Sequence, residues 1–176
     1  MKNFPIKVDD KEYWVSRSCA VVGIIYKTFD IDGKLYILAN KRGKGCPDYV
    51  GKWNVTCGYL DYNETILDAV SREIHEEVGL NVPIFDWKLW VINSIPSDEK
   101  QTVSFRFFTE YKEEYGYSNK ENCEKDEVDE IKWFPFDEID NYEWAFNQRE
   151  VLTDFIALML SGKIKSNNDI ILYYYE

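Results

Sequence analysis

The chain is poor in the residues that most hydrolytic and metal sites use. It holds a single histidine, His75, and its four cysteines, Cys19, Cys46, Cys57 and Cys123, show no C-x-x-C spacing. That argues against a zinc site and against a catalytic histidine. Serine or cysteine nucleophiles have no histidine partner to activate them. Reduced thiols in a cytoplasmic protein are the expected setting. Positive charge is also scarce: 21 Lys and Arg against 32 Asp and Glu leave a net charge of −11. An acidic chain binds nucleic acid and anionic membrane poorly, so neither is an expected partner. Long apolar runs are missing. The longest, Cys19–Tyr26, is far too short to span a bilayer, and the first ten residues lack the apolar centre of a signal peptide. What is present is a hydrophobic content of 45% and an aromatic content of 16%, the composition of a folded globule. At 176 residues, one domain spanning 1–176 is expected.

Alternation and turn residues predict the elements. Tyr13–Lys27 reads as one long strand, Asp30–Gly33 as a turn and Lys34–Asn40 as the return strand. Lys41–Gly51 reads as a loop and Lys52–Cys57 as a short strand. Two more strands are expected over Val82–Ile95 and Gln101–Lys112, then a polar loop over Glu113–Asp129. A strand at Glu130–Phe134 and a helical turn at Asp137–Ile139 follow. Asn147–Leu160 has the periodicity of an amphipathic helix with Gly162 as its stop, and Ile170–Tyr175 could add an edge strand. Strands around two helices suggest a mixed sheet sandwiched between helices, an α/β class.

One stretch carries most of the chemistry. Residues 58–80 place Gly58, Glu64, Arg72, Glu73, Glu76, Glu77 and Gly79 at fixed offsets, with apolar Ile74 and Leu80 between and after them. From Glu64 to Val78 there is no Gly or Pro, and Leu67, Val70, Ile74 and Val78 form one apolar stripe, so the segment is predicted to be a helix. Asn63 or Thr65 would cap its start, and Gly79 would end it in the left-handed conformation. Glu73 and Glu77 are four apart, and Glu76 is three from Glu73, so the three carboxylates share a face. Like charges at this spacing destabilise a helix by roughly 0.2–0.5 kcal/mol per pair, so the cluster calls for a use. Mg²⁺ or Mn²⁺, which take oxygen ligands and are held by carboxylates plus substrate phosphates, would supply it. Arg72 is placed to fix one carboxylate bidentately.

The pattern G-x5-E-x7-R-E-U-x-E-E-x-G-U, with U apolar, resembles the signature box of the Nudix hydrolases, and the likeness in order of elements runs over roughly residues 13–160. The resemblance implies an α/β/α sandwich with a mixed sheet. It implies a metal-dependent hydrolase cleaving the P–O–P bond of a nucleoside diphosphate linked to another moiety. ADP-ribose or a similar nucleotide sugar is favoured, with a nucleoside triphosphate as the other option. It implies Mg²⁺ or Mn²⁺ on Glu73, Glu76 and Glu77, with the main-chain carbonyl of Cys57 completing the shell. Many relatives have Gly or Ala at Cys57 and Gly at Asn63. A further acid from outside the box is expected at Glu127, with Glu124 and Glu130 as alternates. Arg42, then Lys41 and Lys44, and also Arg17 are the candidate phosphate contacts. Asn147 would read a base or ribose, or cap its helix, and Tyr13, Trp14, Phe105 and Phe107 would offer a stacking face. A homodimer is compatible with the resemblance. Two other readings use the same fold: a nucleotide or ADP-ribose sensing module without turnover, and an isopentenyl diphosphate isomerase, whose Cys and His residues this chain does not obviously supply.

Overall fold

The run Cys19–Thr28, β-branched and aromatic over most of its length, forms the central strand β3 and is buried on both faces. Around it the computed structural model, which describes residues 3–29, 33–96 and 101–162, builds the rest of the domain. The other strands are β1 (Phe4–Val8), β2 (Lys11–Val15), β4 (Leu35–Arg42), β5 (Trp53–Asn54), β6 (Cys57–Tyr59), β7 (Lys88–Asn93), β8 (Val103–Glu110) and β9 (Val128–Pro135). The helices are α1 (Ile66–Val78) and α2 (Gln148–Leu160). The main sheet has seven strands. β3 runs parallel to β8 and antiparallel to β4 and β6, so the sheet is mixed.

Alternate residues of β3 feed two cores. Val21 and Ile25 pack with Ala69, Val70, Ile74 and Val78 of α1. Val22, Ile24 and Tyr26 pack with Val151, Leu152, Phe155 and Leu158 of α2. One helix therefore covers each face, which is the expected α/β/α sandwich. No helix among the described residues is long and apolar enough to cross a membrane.

Several elements differ from the sequence expectation. The predicted strand Tyr13–Lys27 is two strands broken at Ser16–Ser18. Arg17 sits in the break and donates to the main-chain carbonyls of Ser94 (2.8 Å), Thr102 (3.4 Å) and Gln101. β2 instead pairs with β1 in a separate two-stranded sheet, a hairpin not anticipated from the sequence. The predicted strand Val82–Ile95 starts late, because Pro83 opens a 3-10 turn at Ile84–Asp86. β9 begins at Val128, two residues earlier than expected, and the polar loop before it holds 3-10 turns at Glu113–Tyr115 and Lys120–Asn122. The expected turn at Asp137–Ile139 is a longer 3-10 segment, Phe136–Asn141. Ile170–Tyr175 and most of the turn Asp30–Gly33 lie outside the described residues.

One further difference positions the site. β3 and β4 pair only at Tyr26–Thr28 with Leu35–Ile37. Beyond that point they part, and the predicted strand Lys52–Cys57 divides to fill the gap: β5 pairs with β4, and β6 pairs with β3. The chain then enters α1 at this opening. Thr65 caps the helix in a reciprocal box: its Oγ1 accepts from Asp68 N at 3.2 Å, and Asp68 Oδ2 accepts from Thr65 N at 3.1 Å. Gly79, at φ 74°, ends it.

Candidate active site

Arg72 organises one side of the helix. Its Nη2 and Nε lie 2.8 and 3.1 Å from the two oxygens of Glu64. Nη1 reaches Glu73 Oε1 at 2.9 Å and Glu76 Oε2 at 2.8 Å, and Nη2 donates to the Tyr59 carbonyl at 3.0 Å. The bidentate partner is thus Glu64, from the loop before the helix. The guanidinium ties that loop to α1 and holds the Glu64 carboxyl below its usual range. Gly58 lies against the Glu73 carboxylate: a Cβ there would fall on it and force it from its place beside Arg72.

Burial pushes the Glu73 carboxyl up to about 7, against the pull of Arg72. Glu77 goes further, to about 8, driven by burial and then by the charge of Glu73. Its immediate partners are neutral donors. The Cys57 main-chain N–H donates to it, and Asn54 Nδ2 lies 3.4 Å from Oε2. The Asn40 amide, turned so that its nitrogen donates, reaches the same oxygen at 3.3 Å and the Asn54 carbonyl at 3.0 Å. Asn40 and Asn54 are register partners on β4 and β5 and are almost fully buried. Sequence reasoning missed both. The only signal was a polar residue at an inward strand position on each side of the glycine-rich loop.

The remaining candidates are spread unequally. Arg42 is buried, donates from Nε to the Asp48 carbonyl at 2.9 Å, and its charge acts on Glu77 and Cys57. Lys44 and Lys41 instead turn to the acidic loop, at 3.3 Å from Asp126 and 3.9 Å from Asp129. The two loops are also laced through their backbones, Gly43 N to Glu127 O and Gly45 N to Asp126 O, both at 2.7 Å. Glu127 lies on the Cys46 side of this seam: its carbonyl accepts from the Cys46 thiol at 3.2 Å. Glu124 lies against α1, its N–H donating to the Glu76 carbonyl at 2.8 Å, and its charge helps to raise Glu73. Glu130 is exposed in β9, opposite Lys41.

Arg17 is engaged by three carbonyls, none of them from residues 58–80. Asn147 is at the N-cap position of α2, exposed, and its side chain makes no cap hydrogen bond. The next residue, Gln148, is the buried one. It brackets Val55, accepting from its N–H at 2.6 Å and donating to its carbonyl at 3.0 Å, and it reaches Cys57 Sγ at 3.3 Å. Burial drives the Cys57 thiol far up, so the sulfur stays protonated. Of the four aromatic candidates, Phe107 is core and Phe105 packs against the α1-side core. Tyr13 and Trp14 belong to the β1–β2 hairpin, where Tyr13 meets Tyr62 edge-on at 6.1 Å.

The donor set suits a hard divalent cation: carboxylates and main-chain carbonyls, no thiolate and no imidazole. Glu77 is a largely buried carboxylate whose hydrogen-bond partners are neutral donors, with Arg42 acting on it through its charge. Among the described residues no three acidic, thiol or imidazole groups converge on one point, and Glu73 and Glu76 are both bonded to Arg72.

The family model described as the NUDIX domain matches residues 19–155. No curated protein matches the chain. Solved structures do. The NUDIX domain of Shewanella oneidensis NrtR, complexed with ADP ribose, superposes with a TM-score of 0.68 at 16% identity over 82% of this chain and 90% of that one. A mutT/nudix family protein from Listeria innocua gives 0.62 at 23% identity, over 85% and 98% of the two chains. The bifunctional NMN adenylyltransferase/ADP ribose pyrophosphatase of Francisella tularensis, complexed with AMP and a Mn ion, gives 0.61 at 17% identity, over 81% of this chain but only 42% of that one. At such identities the superpositions establish the fold. Together with a complete box and a domain match over well more than half of the sequence, they leave one assignment: the chain belongs to the Nudix family.

Proposed function

We propose that this protein is a metal-dependent diphosphohydrolase. Its substrate is a nucleoside diphosphate linked to another moiety, ADP-ribose or a similar nucleotide sugar first and a nucleoside triphosphate second. The observation that carries this is the α1 face at the opening between β3 and β4, where Glu73, Glu76 and Glu77 lie together beside an Arg72 clamp that fixes the loop, and where burial raises the Glu73 and Glu77 carboxyls. Glu77, whose hydrogen-bond partners are neutral amides and an N–H, is costly to bury, and a chain keeps such an acid where it is used. The fold neighbours complexed with ADP ribose, and with AMP and Mn, support the substrate class and the metal. A small-molecule nucleotide partner in a cytoplasmic setting, without nucleic acid or membrane, and a homodimeric state belong to the same reading.

Glu73, Glu76, Glu77 and the Cys57 main-chain carbonyl would hold Mg²⁺ or Mn²⁺. Those ions, when bound, offset charge on the diphosphate and acidify water. The chain's own groups do the rest. Arg42, fixed through the Asp48 carbonyl, presents its remaining donors to a phosphate. A carboxylate takes the proton of the attacking water: Glu124 or Glu127 from the acidic loop, or Glu73 from the box. Glu124 is favoured because it stands against α1 and acts on Glu73. The water oxygen bonds to one phosphorus, the P–O–P bridge breaks, and the other phosphate leaves. No protein nucleophile enters, which agrees with the protonated Cys57 thiol.

A sensing module is the second reading. It is favoured by the engagement of Glu73 and Glu76 by Arg72, which leaves fewer free ligands. A panel of diphosphate-linked nucleotides with Mg²⁺ and Mn²⁺, read by product chromatography, separates the two. Conversion of ADP-ribose to AMP and ribose 5-phosphate is expected. Binding across the panel without any phosphate-bearing product would leave the sensor.

A further inference from the structure

The segment before α2 begins as a strand partner of β5 and does not continue as one. Trp53 and Trp144 form a parallel bridge, with Trp53 N donating to Glu143 O at 2.9 Å and Ala145 N to Trp53 O at 2.8 Å. In a parallel ladder the next rung would pair the N–H and C=O of Val55 with the backbone of this segment. The chain has turned away by then. Phe146 takes a left-handed φ of 53°, and Gln148 N closes onto Ala145 O at 3.2 Å as α2 begins. Val55 is fully buried, where an unmet N–H and C=O would be costly.

The Gln148 side chain takes the place of the missing rung. Its Oε1 accepts from Val55 N at 2.6 Å, and its Nε2 donates to Val55 O at 3.0 Å, so one amide meets both backbone groups. Gln148 is itself only 3% exposed. From Val55 two routes lead to Glu77. The Val55 carbonyl also accepts from Asn54 Nδ2 at 3.1 Å, and that nitrogen lies 3.4 Å from Glu77 Oε2. Further along, Cys57 donates its main-chain N–H to Glu77, and its Sγ lies 3.3 Å from Gln148 Nε2. Between them Thr56 O accepts from Gly23 N at 2.9 Å, which fixes the crossing from β5 to β6 against β3. The amide at the head of α2 therefore holds both ends of the segment that contacts Glu77.

We propose that Gln148 is a positioning residue. From the α2 side of the sheet it holds Val55–Cys57 so that Glu77 and the Cys57 carbonyl present their oxygens to one cation. The proposal rests on reading these oxygens as metal ligands, and it adds a residue that itself touches neither metal nor substrate. Removing a group that orients a metal ligand from behind commonly costs about 10–100-fold in metal affinity.

The test is Mn²⁺ binding by the full chain without nucleotide, read from the electron paramagnetic resonance of the free ion, beside the metal-free melting temperature. Gln148→Met keeps the length and removes the hydrogen bonds. Gln148→Asn keeps an amide that falls one methylene short of Val55. Both should weaken Mn²⁺ binding by about tenfold or more. Leu158→Ala opens a cavity near the far end of the same helix. It should lower the melting temperature as much and leave the Mn²⁺ affinity at the wild-type value. If Gln148→Met does not fold, Gln148→Asn carries the comparison. Wild-type affinity in the folded Gln148 variants, or an equal loss in Leu158→Ala, overturns the positioning role and leaves the metal reading standing. Absence of Mn²⁺ binding by the wild type overturns both.

Discussion

Glu76 and Glu77 are neighbours in sequence, yet they live in different electrostatic worlds. Glu76 is 31% exposed at its side chain and bonded to Arg72, which also holds Glu64 and Glu73. Glu77 meets the Asn40 and Asn54 amides and the Cys57 N–H. The first corner is a completed ion network that braces a loop. The second is a carboxylate whose hydrogen-bond partners are all neutral, with Arg42 acting on it only through its charge. The contrast separates an acid tied into an ion network from an acid hydrogen-bonded to neutral groups, although under the proposed function both would serve the metal.

The most severe way to probe this contrast is Glu77→Gln. Activity should fall by about two orders of magnitude or more, on the scale of several kcal/mol of transition-state stabilisation. Metal-free thermal stability should hold or rise, because the cost of burying the charge, and then repulsion from Glu73, is relieved. Arg72→Ala should do the reverse. It strands Glu64, Glu73 and Glu76 and should cost about 2–3 kcal/mol in denaturant unfolding. If the two variants lose stability equally, the two corners are not different in kind.

Proton linkage sharpens the same point. Glu73 and Glu77 have folded values near 7 and 8 against an ordinary 4.5, so the folded protein binds these protons more tightly than the unfolded chain. Their protonation therefore supports folding fully below about pH 4.5, and that support is lost as pH rises through 7 and 8. Metal-free protein should lose melting temperature over this window, and Mg²⁺ should restore more of it at pH 9 than at pH 6. The lowered Glu64 works in the opposite sense, and its contribution is lost only as pH falls below the ordinary carboxylate range. A metal-induced shift that does not change with pH would break the linkage.

A smaller effect is expected in the acidic loop. Glu124→Gln should slow turnover more than Glu127→Gln while leaving metal affinity nearly unchanged, because Glu124 acts on Glu73 and Glu127 lies beside Cys46. The opposite order would return the role to Glu127. Arg42→Ala should raise KM more than it lowers kcat, a binding effect in steady-state kinetics.

The helix, its stripe and its acid face were legible because they obey one local period. So was β3 as a strand, because the stretch around it is rich in β-branched and aromatic residues. What escaped was non-local. Arg17 breaks a strand by reaching carbonyls about eighty residues away, and nothing in Tyr13–Lys27 itself signals that. Arg72 was expected beside its helical neighbours, but its bidentate partner comes from the loop at Glu64, set by how that loop folds back. Asn40, Asn54 and Gln148 read as ordinary polar residues in chain order and become a buried amide cluster only where β3 and β4 part.

The central claim is that the α1 carboxylates serve the hydrolysis of a P–O–P bond. Its most direct test is ADP-ribose turnover in ¹⁸O-labelled water with Mg²⁺ or Mn²⁺, with and without excess chelator. AMP and ribose 5-phosphate should form only with metal, with the label on a phosphate of one product and never on carbon. Full turnover in chelator, or no cleavage of any diphosphate-linked nucleotide with either metal, would contradict it.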